Sequence, residues 1–291
     1  MNIDILLTLI NIKGVGEKTI KSFIEYCELK KIKIDDIVQL IEVIKITKIN
    51  NKLNKLEIYE AYEKTKKIIE YCKNNKIEIL DFNNHFYPKC FKNIYNAPLI
   101  IFYKGNIELL KDKYKKVAIV GTRVPNEKSK RFSFELSNIL AKKDKVIVSG
   151  LALGCDTEAH KGCLHANGKT IAVLPCGLDK IYPDSNINLA NEIIEKEGGL
   201  LSEYPIFSQI NKGNFIARDR LQSALSDFVI VIQTNLSDGT MHTVRFAFQQ
   251  FKKIIVAYHE TGDENKANKY IVENFNGIVI ENLDEILEII K

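Results

Sequence analysis

Lys116-Val117-Ala118-Ile119-Val120-Gly121-Thr122-Arg123 is the stretch on which the fold turns. Val117 to Val120 are apolar at odd and even positions alike, and three of the four are β-branched. That pattern describes a strand buried on both faces, a situation that arises when a parallel sheet lies between two layers of helix. The run then stops at glycine, a hydroxyl and a guanidinium. Glycine at a strand-to-helix turn lets the backbone approach an anion closely, and the following helix N-terminus carries partial positive charge. Arg123 adds a planar fork suited to a phosphate.

Working outward, the same grammar repeats. Further strands are expected at Lys145–Ser149, Thr170–Leu174, Leu200–Ser202, Phe228–Ile232 and Ile254–Tyr258, with helices at about Lys128–Lys142, Asp156–Ala166, Ile187–Lys196, Phe215–Leu225 and Thr240–Phe251. A weak strand at Gly277–Ile280 and a helix from Leu283 follow. Strand and helix alternating in this way imply right-handed crossovers and a doubly wound sheet, with any ligand at the carboxyl ends of the strands. Those ends are rich in glycine: Gly121-Thr122-Arg123, Gly150 to Gly154 after Ser149, Pro175-Cys176-Gly177-Leu178-Asp179, and Gly239-Thr240. No GxGxxG fingerprint and no Walker loop occurs among them, so neither a dinucleotide nor ATP is implied, and no cofactor is expected.

Upstream, from Ile3 to about Lys73, apolar residues recur at threes and fours and proline is absent, which predicts a small helical module over residues 1–75. Phe82 to Lys116, with Pro88 and Pro98 around Leu99-Ile100-Ile101-Phe102-Tyr103, reads as loops and a strand joining the two parts. The expected division is therefore 1–75 and 76–291. Gly14-Val15-Gly16 between two helical runs resembles a helix-hairpin-helix turn, in which Gly14, Gly16 and Lys18 could meet a DNA phosphate; a plain helix connection is the alternative.

The net charge of +5 is uneven: residues 1–116 hold 22 Lys, no Arg and 15 acids, whereas residues 117–291 hold 15 Lys, 5 Arg and 22 acids. A basic N-terminal part suits a polyanion. The six cysteines, at 27, 72, 90, 155, 163 and 176, form no CxxC pair and read as free buried thiols. His160, Cys163 and His165 do not share one helical face, so no metal is expected. No apolar run reaches membrane-helix length and the N-terminus lacks a basic leader, which leads to the expectation of a cytoplasmic chain without membrane contact.

The order of motifs resembles the DNA-processing protein A (Smf) family. The matching segments are Tyr87-Pro88-Lys89-Cys90-Phe91, VAIVGTR at 117–123, SGLALGCD at 149–156 with Ala159-His160, and TIAVLPCGLD at 170–179 with Tyr182-Pro183 and Asn186. GLLSEYP at 199–205, FIARDR at 215–220, Leu225-Ser226-Asp227, and Gly239-Thr240 with Thr243 and Arg245 complete the series. The resemblance implies an α/β fold with a doubly wound, mostly parallel, extended Rossmann-like sheet preceded by a small all-α domain. It also implies single-stranded DNA binding without catalysis, a homodimer, and a role in natural transformation and recombination through loading of the RecA recombinase. On this resemblance the expected nucleic-acid contacts are Gly121, Thr122, Arg123, Ser149, Gly150, Gly154, Lys180, Tyr182, Arg218, Arg220, Gly239, Thr240 and Thr243. Arg218 and Arg220 are equally readable as structural partners of acids such as Glu203, and Tyr182 as ordinary packing.

Two positions depart from the family pattern. Asp219 stands where asparagine is usual between the two arginines, placing a negative charge near the expected phosphate unless it pairs with an arginine. Tyr258-His259 stand where Pro-Gly is common. A rival reading is a nucleotide-processing or nucleotide-sensing member of the same superfamily, similar to the Lonely Guy phosphoribohydrolases. Their Pro-Gly-Gly-x-Gly-Thr motif with its following glutamate is here Ser237-Asp238-Gly239-Thr240-Met241-His242, with an imidazole where that chemistry wants a carboxylate.

Overall fold

A computed structural model describes residues 1–47, 53–257 and 263–290; side chains are described from 266 onward in the last of these segments. The expected features at Tyr258 and His259 lie outside the described residues. The chain divides into two compact units, Met1–Asp81 and Phe82–Lys291.

The first unit consists of helices α1 (Ile3–Asn11), α2 (Glu17–Leu29), α3 (Ile37–Thr47) and α4 (Lys55–Asn74), followed by strand β1 (Ile77–Asp81). Local signals explain the helix ends. The Asn2 side chain accepts from the Ile5 N–H, and Asn54 and Glu57 form a reciprocal capping box at the start of α4. Between α1 and α2 the chain turns through Gly14, whose φ of 81° is the left-handed conformation that glycine adopts without a Cβ clash. Ile5, Leu7, Leu9, Ile20, Phe23, Leu40, Ile44, Ile58 and Ile68 are buried on the inner faces of the helices.

The second unit is a layered α/β structure. Its strands are β2 (Ile100–Gly105), β3 (Lys116–Val120), β4 (Val146–Ser149), β5 (Thr170–Val173), β6 (Gly199–Ser202), β7 (Phe228–Val231), β8 (Lys253–Ala257) and β9 (Ile278–Ile280). They lie in the order β2-β6-β5-β4-β3-β7-β8-β9. Every pairing from β6 to β9 is parallel, and β2 alone pairs antiparallel, with Phe102 opposite Ser202. From β3 the chain winds through β4 and β5 to β6, then returns to place β7 on the other side of β3. The topological switch point is therefore between β3 and β7.

The two-sided burial expected for β3 is visible residue by residue. Val117 and Ile119 pack with Leu136, Leu140, Ala159, Cys163, Ile286 and Ile290 on one face. Ala118 and Val120 pack with Met241, Val244, Ala247 and Ile271 on the other. These partners come from α6 (Glu127–Lys142), α7 (Cys155–His165) and α12 (Leu283–Ile289) with its C-cap Ile290 on the first face, and from α10 (Thr240–Gln249) and α11 (Asp263–Phe275) on the second. Helix α11 has no counterpart in the sequence reading, and the antiparallel setting of β2 was not foreseen either. Two further helices, α8 (Ile187–Glu195) and α9 (Lys212–Leu225), and a short α5 (Lys89–Lys92) complete the unit.

Helices α6 and α7 approach unusually closely. A Cβ on Gly162 would meet the Phe134 backbone, and the α6 side chains of Ser133, Ser137 and Asn138 donate to the Cys155, Ala159 and Gly162 carbonyls of α7. This polar stitching satisfies groups buried at the contact and fixes α7, whose N-terminus forms part of the site.

Candidate functional site

A small open pocket lies at the carboxyl ends of β3, β4 and β5, beside the switch strand. Arg123, Gly150, Ala152, Leu153, Pro175, Tyr182, Pro183, Phe215 and Arg218 line it.

The β3–α6 loop presents Arg123 outward because its backbone is tied down on either side. The Thr122 N–H donates to the Gln233 carbonyl at 2.7 Å, the Cys155 N–H to the Thr122 carbonyl at 3.2 Å, and the Asn126 N–H to Gln233 Oε1 at 3.0 Å. Arg123 itself is exposed, and among the described residues no carboxylate lies within ion-pair distance of it. Its guanidinium sits 5.5 Å from the centre of the Phe215 ring, and Tyr182 meets the same ring edge-on with centroids 5.3 Å apart. Phe215 is half-buried and Tyr182 is exposed, so a cation and two aromatic rings stand together at the pocket mouth.

Beneath them lies a buried charged layer. The Arg218 Nε donates to Asp219 Oδ1 at 3.0 Å, and Nη1 donates to the Gly150 carbonyl and, at 3.0 Å, to the Val173 carbonyl. The Gly150 N–H in turn donates to Asp156 Oδ2 at 3.0 Å. Burial pushes the Asp219 carboxyl up to about 6, against the pull of Arg218; burial also raises Asp156, again opposed by Arg218. The Asp219 departure is thus resolved in the way the charge argument required: it pairs with an arginine.

The remaining expected contacts divide into reachable and occupied groups. Lys180 is exposed, and Gly154, at a φ of 78°, turns the β4–α7 loop against the Thr122 backbone. Ser149 is fully buried and donates to the Ile119 carbonyl at 2.7 Å, and Thr243 is 2% exposed. Thr240 is buried at the start of α10, whereas a Cβ on Gly239 would meet nothing within 4 Å. Arg220 points away from the pocket: its Nη2 is 2.5 Å from Glu203 Oε2 and its Nη1 donates to the Asn96 carbonyl. It lines a separate groove with Cys90, Tyr95 and Phe251. Of the two arginines, Arg218 borders the pocket and Arg220 is committed to Glu203. Two backbone donors expected to face a ligand are also engaged internally, those of Thr122 and Gly150.

In the helical unit, Gly16 begins α2 with no side-chain cap, and a Cβ there would meet nothing within 4 Å; Lys18 is exposed. His160 is buried, with Nδ1 2.8 Å from Thr170 Oγ1, while His165 is exposed beside Phe134. Among the described residues no cluster of His, Cys, Asp and Glu could hold a metal. No described helix is long and apolar enough to cross a membrane.

Sequence reasoning assigned no role to Phe215 or Asp156, although both stand inside quoted motifs. Phe215 lies three residues before Arg218 on α9, a spacing that puts the two on one helix face. Asp156 is in the first turn of α7, a position that favours a carboxylate.

Fold and site together define an extended Rossmann-like α/β protein with a guanidinium–aromatic crevice beside its topological switch point. The chain belongs to the DNA recombination-mediator protein A family, whose family model matches residues 78–291. It is similar to DNA processing protein DprA of Bacillus subtilis (35% identity over 191 residues, 66% of this chain and 64% of that protein). The Streptococcus pneumoniae protein of the same name is 38% identical over 185 residues, 64% of this chain and 63% of that one. Protein Smf of Synechocystis is 38% identical over 184 residues, 62% of this chain and 46% of that protein. The chain thus spans less than two thirds of the length of each of these relatives. Among solved structures, that of S. pneumoniae DprA superposes with a TM-score of 0.80 at 27% identity, covering 99% of this chain and 98% of that one. DNA processing protein A from Helicobacter pylori, described for its single-stranded DNA binding mode, gives 0.67 at 36% identity, covering 74% and 95%.

Proposed function

We propose that this chain binds single-stranded DNA at the Arg123 crevice and acts in DNA uptake, natural transformation and recombination. The observation that carries the reading is the exposed Arg123 guanidinium beside Phe215 and Tyr182. A cation grips a phosphate irrespective of sequence, and aromatic rings stack on any base, which is the combination that sequence-neutral single-strand binding needs. Membership of the family and the likeness to the H. pylori protein support it. Gly150 lines the floor, Gly121 and Gly154 let the β3–α6 and β4–α7 loops pack closely beside it, Lys180 extends the positive rim, and Gly239 leaves open space for the strand. In this reading Arg218, Ser149 and Thr122 hold the site in shape, Thr243 is buried in α10, and Arg220 fastens α9 elsewhere. Gly14, Gly16 and Lys18 form a second phosphate contact on the helical unit. The protein works in the cytoplasm as a homodimer, protects the incoming strand and helps load RecA onto it.

The phosphoribohydrolase reading gains nothing from the pocket lining, which among the described residues offers no carboxylate or imidazole as a general base. The test is fluorescence anisotropy of a labelled oligo-dT and a duplex of equal length across a salt series. Single strands should bind more tightly, and Arg123→Ala should weaken binding and flatten the log–log salt slope by roughly 0.7, one released counterion's share. Equal binding of wild type and Arg123→Ala at every salt, or release of ribose from a nucleoside monophosphate without DNA binding, would overturn it.

A further inference from the structure

Two carboxylates sit beneath the Arg123 pocket, and their number matters for any anion bound there. Asp219 on α9 contacts Arg218 Nε at 3.0 Å, and Asp156 on α7 holds the Gly150 N–H at 3.0 Å, just where Arg218 Nη1 meets the Gly150 carbonyl. Arg218 is therefore bracketed by two acids, both more than nine-tenths buried, on two different helices. The charged groups acting on Asp219 are Arg218 on its own helix, Asp156 on α7 and Arg123 on the β3–α6 loop. Arg218 in turn acts on His160 of α7 and Cys176 of the loop after β5, both neutral groups. Two guanidinium and two carboxylate charges cancel, so the layer nearest the ligand has no net positive charge while both acids are ionised.

We propose that the pocket takes up a proton together with its phosphate ligand, the proton residing on the Asp156–Asp219 pair, so that anions bind more tightly in mildly acidic medium. The physical reason is electrostatic. An incoming phosphate is repelled by a buried carboxylate that water screens poorly, and protonating one member of the pair removes that repulsion. The proton needs no rearrangement, because Arg218 keeps its carbonyl acceptors and the remaining carboxylate. That Asp219 has its midpoint pushed up to about 6 puts the transition within the range where binding can be measured. Only the identity of the ligand, a DNA single strand, rests on the function proposed above; the proton coupling belongs to the anion site itself.

The experiment uses the full chain with two probes whose own charges do not change between pH 5.5 and 8: oligo-dT and inorganic sulfate. Wild type and Asp219→Asn are titrated at constant ionic strength, and calorimetry of wild type in buffers of different ionisation enthalpy measures protons taken up. Wild-type affinity should rise roughly five- to tenfold from pH 8 to 5.5, as expected when binding takes up one proton at a group with its midpoint near 6. Asp219→Asn should bind more tightly than wild type at pH 8 and show a flatter profile. Groups remote from the pair are the same in both proteins, so the difference between their slopes isolates the pair. Parallel pH profiles for the two proteins, or calorimetry without proton uptake, overturn the proposal while leaving single-strand binding intact. Coupled binding of sulfate without any binding of oligo-dT would support the proposal and remove the DNA reading. Absence of binding by both probes overturns both.

Discussion

Replacing Gly150 by alanine tests the buried layer most directly. An added Cβ would run into the Arg218 guanidinium and stand 2.7 Å from Asp156 Oδ2, closer than real Cβ atoms come. Neither neighbour is a loose chain end. Arg218 is 6% exposed and held by the Gly150 and Val173 carbonyls and by Asp219, and Asp156 is 5% exposed. The guanidinium must leave, and a buried ion pair broken from one side costs about 3–5 kcal/mol because the partner charge stays behind. The smaller unfolded-state entropy of alanine returns roughly 0.4–1 kcal/mol. A net loss of about 3 kcal/mol is expected. Denaturant unfolding at pH 7 followed by circular dichroism measures it, with Gly239→Ala as the control. Gly239 has a helical φ of −57° and open space where its Cβ would go, so that substitution should leave stability within about 1 kcal/mol of wild type or raise it slightly. If Gly150→Ala unfolds within about 1 kcal/mol of wild type, Arg218 is not locked in the way the hydrogen bonds imply. The assignment of Arg218 as the floor of the pocket would then fail.

Glu203→Gln leaves Arg220 buried without its counter-charge and should cost about 3 kcal/mol in the same assay, while oligo-dT affinity per folded molecule stays unchanged, because Arg220 faces another groove. Acid stability should reflect His160 acting in one direction and the buried carboxylates Asp219 and Asp156 acting in the other. Burial lowers His160 to about 3, so the unfolded chain binds the extra proton below about pH 6.5 and stability falls with pH. Asp219, pushed up to about 6, binds its proton in the folded state first and offsets part of that loss between pH 6 and 4. Asp219→Asn should therefore lose stability more steeply than wild type over that interval, as read by denaturation midpoints at each pH. The thiols offer a simpler check: burial pushes Cys155 and Cys163 up to about 12 and Cys90 and Cys176 up to about 11. Native protein at pH 7.5 should show no fast alkylation at these four sites, whereas denatured protein should react at all six cysteines.

The sequence by itself carried the parts of the protein that depend on local pattern. Val117 to Val120 announce a strand with no solvent face, and the alternation of such runs with helical stretches leaves little besides a doubly wound sheet. Arg123 was readable because it follows a strand-ending glycine, a placement that local geometry largely dictates. Longer-range pairing decided the rest. Arg218 and Arg220 are two residues apart and identical in chemistry, yet α9 turns roughly 200° between them, sending one to Gly150 and the other to Glu203. No local pattern says which face of α9 meets the pocket. The same holds for the Gly150 N–H, which is engaged because Asp156 lies across the loop, and for Phe215, which becomes part of the site because α9 lays its ring beside Arg123. Periodicity reports which residues are buried; only the packing of helix on sheet decides against what, and therefore which charges remain available to a ligand.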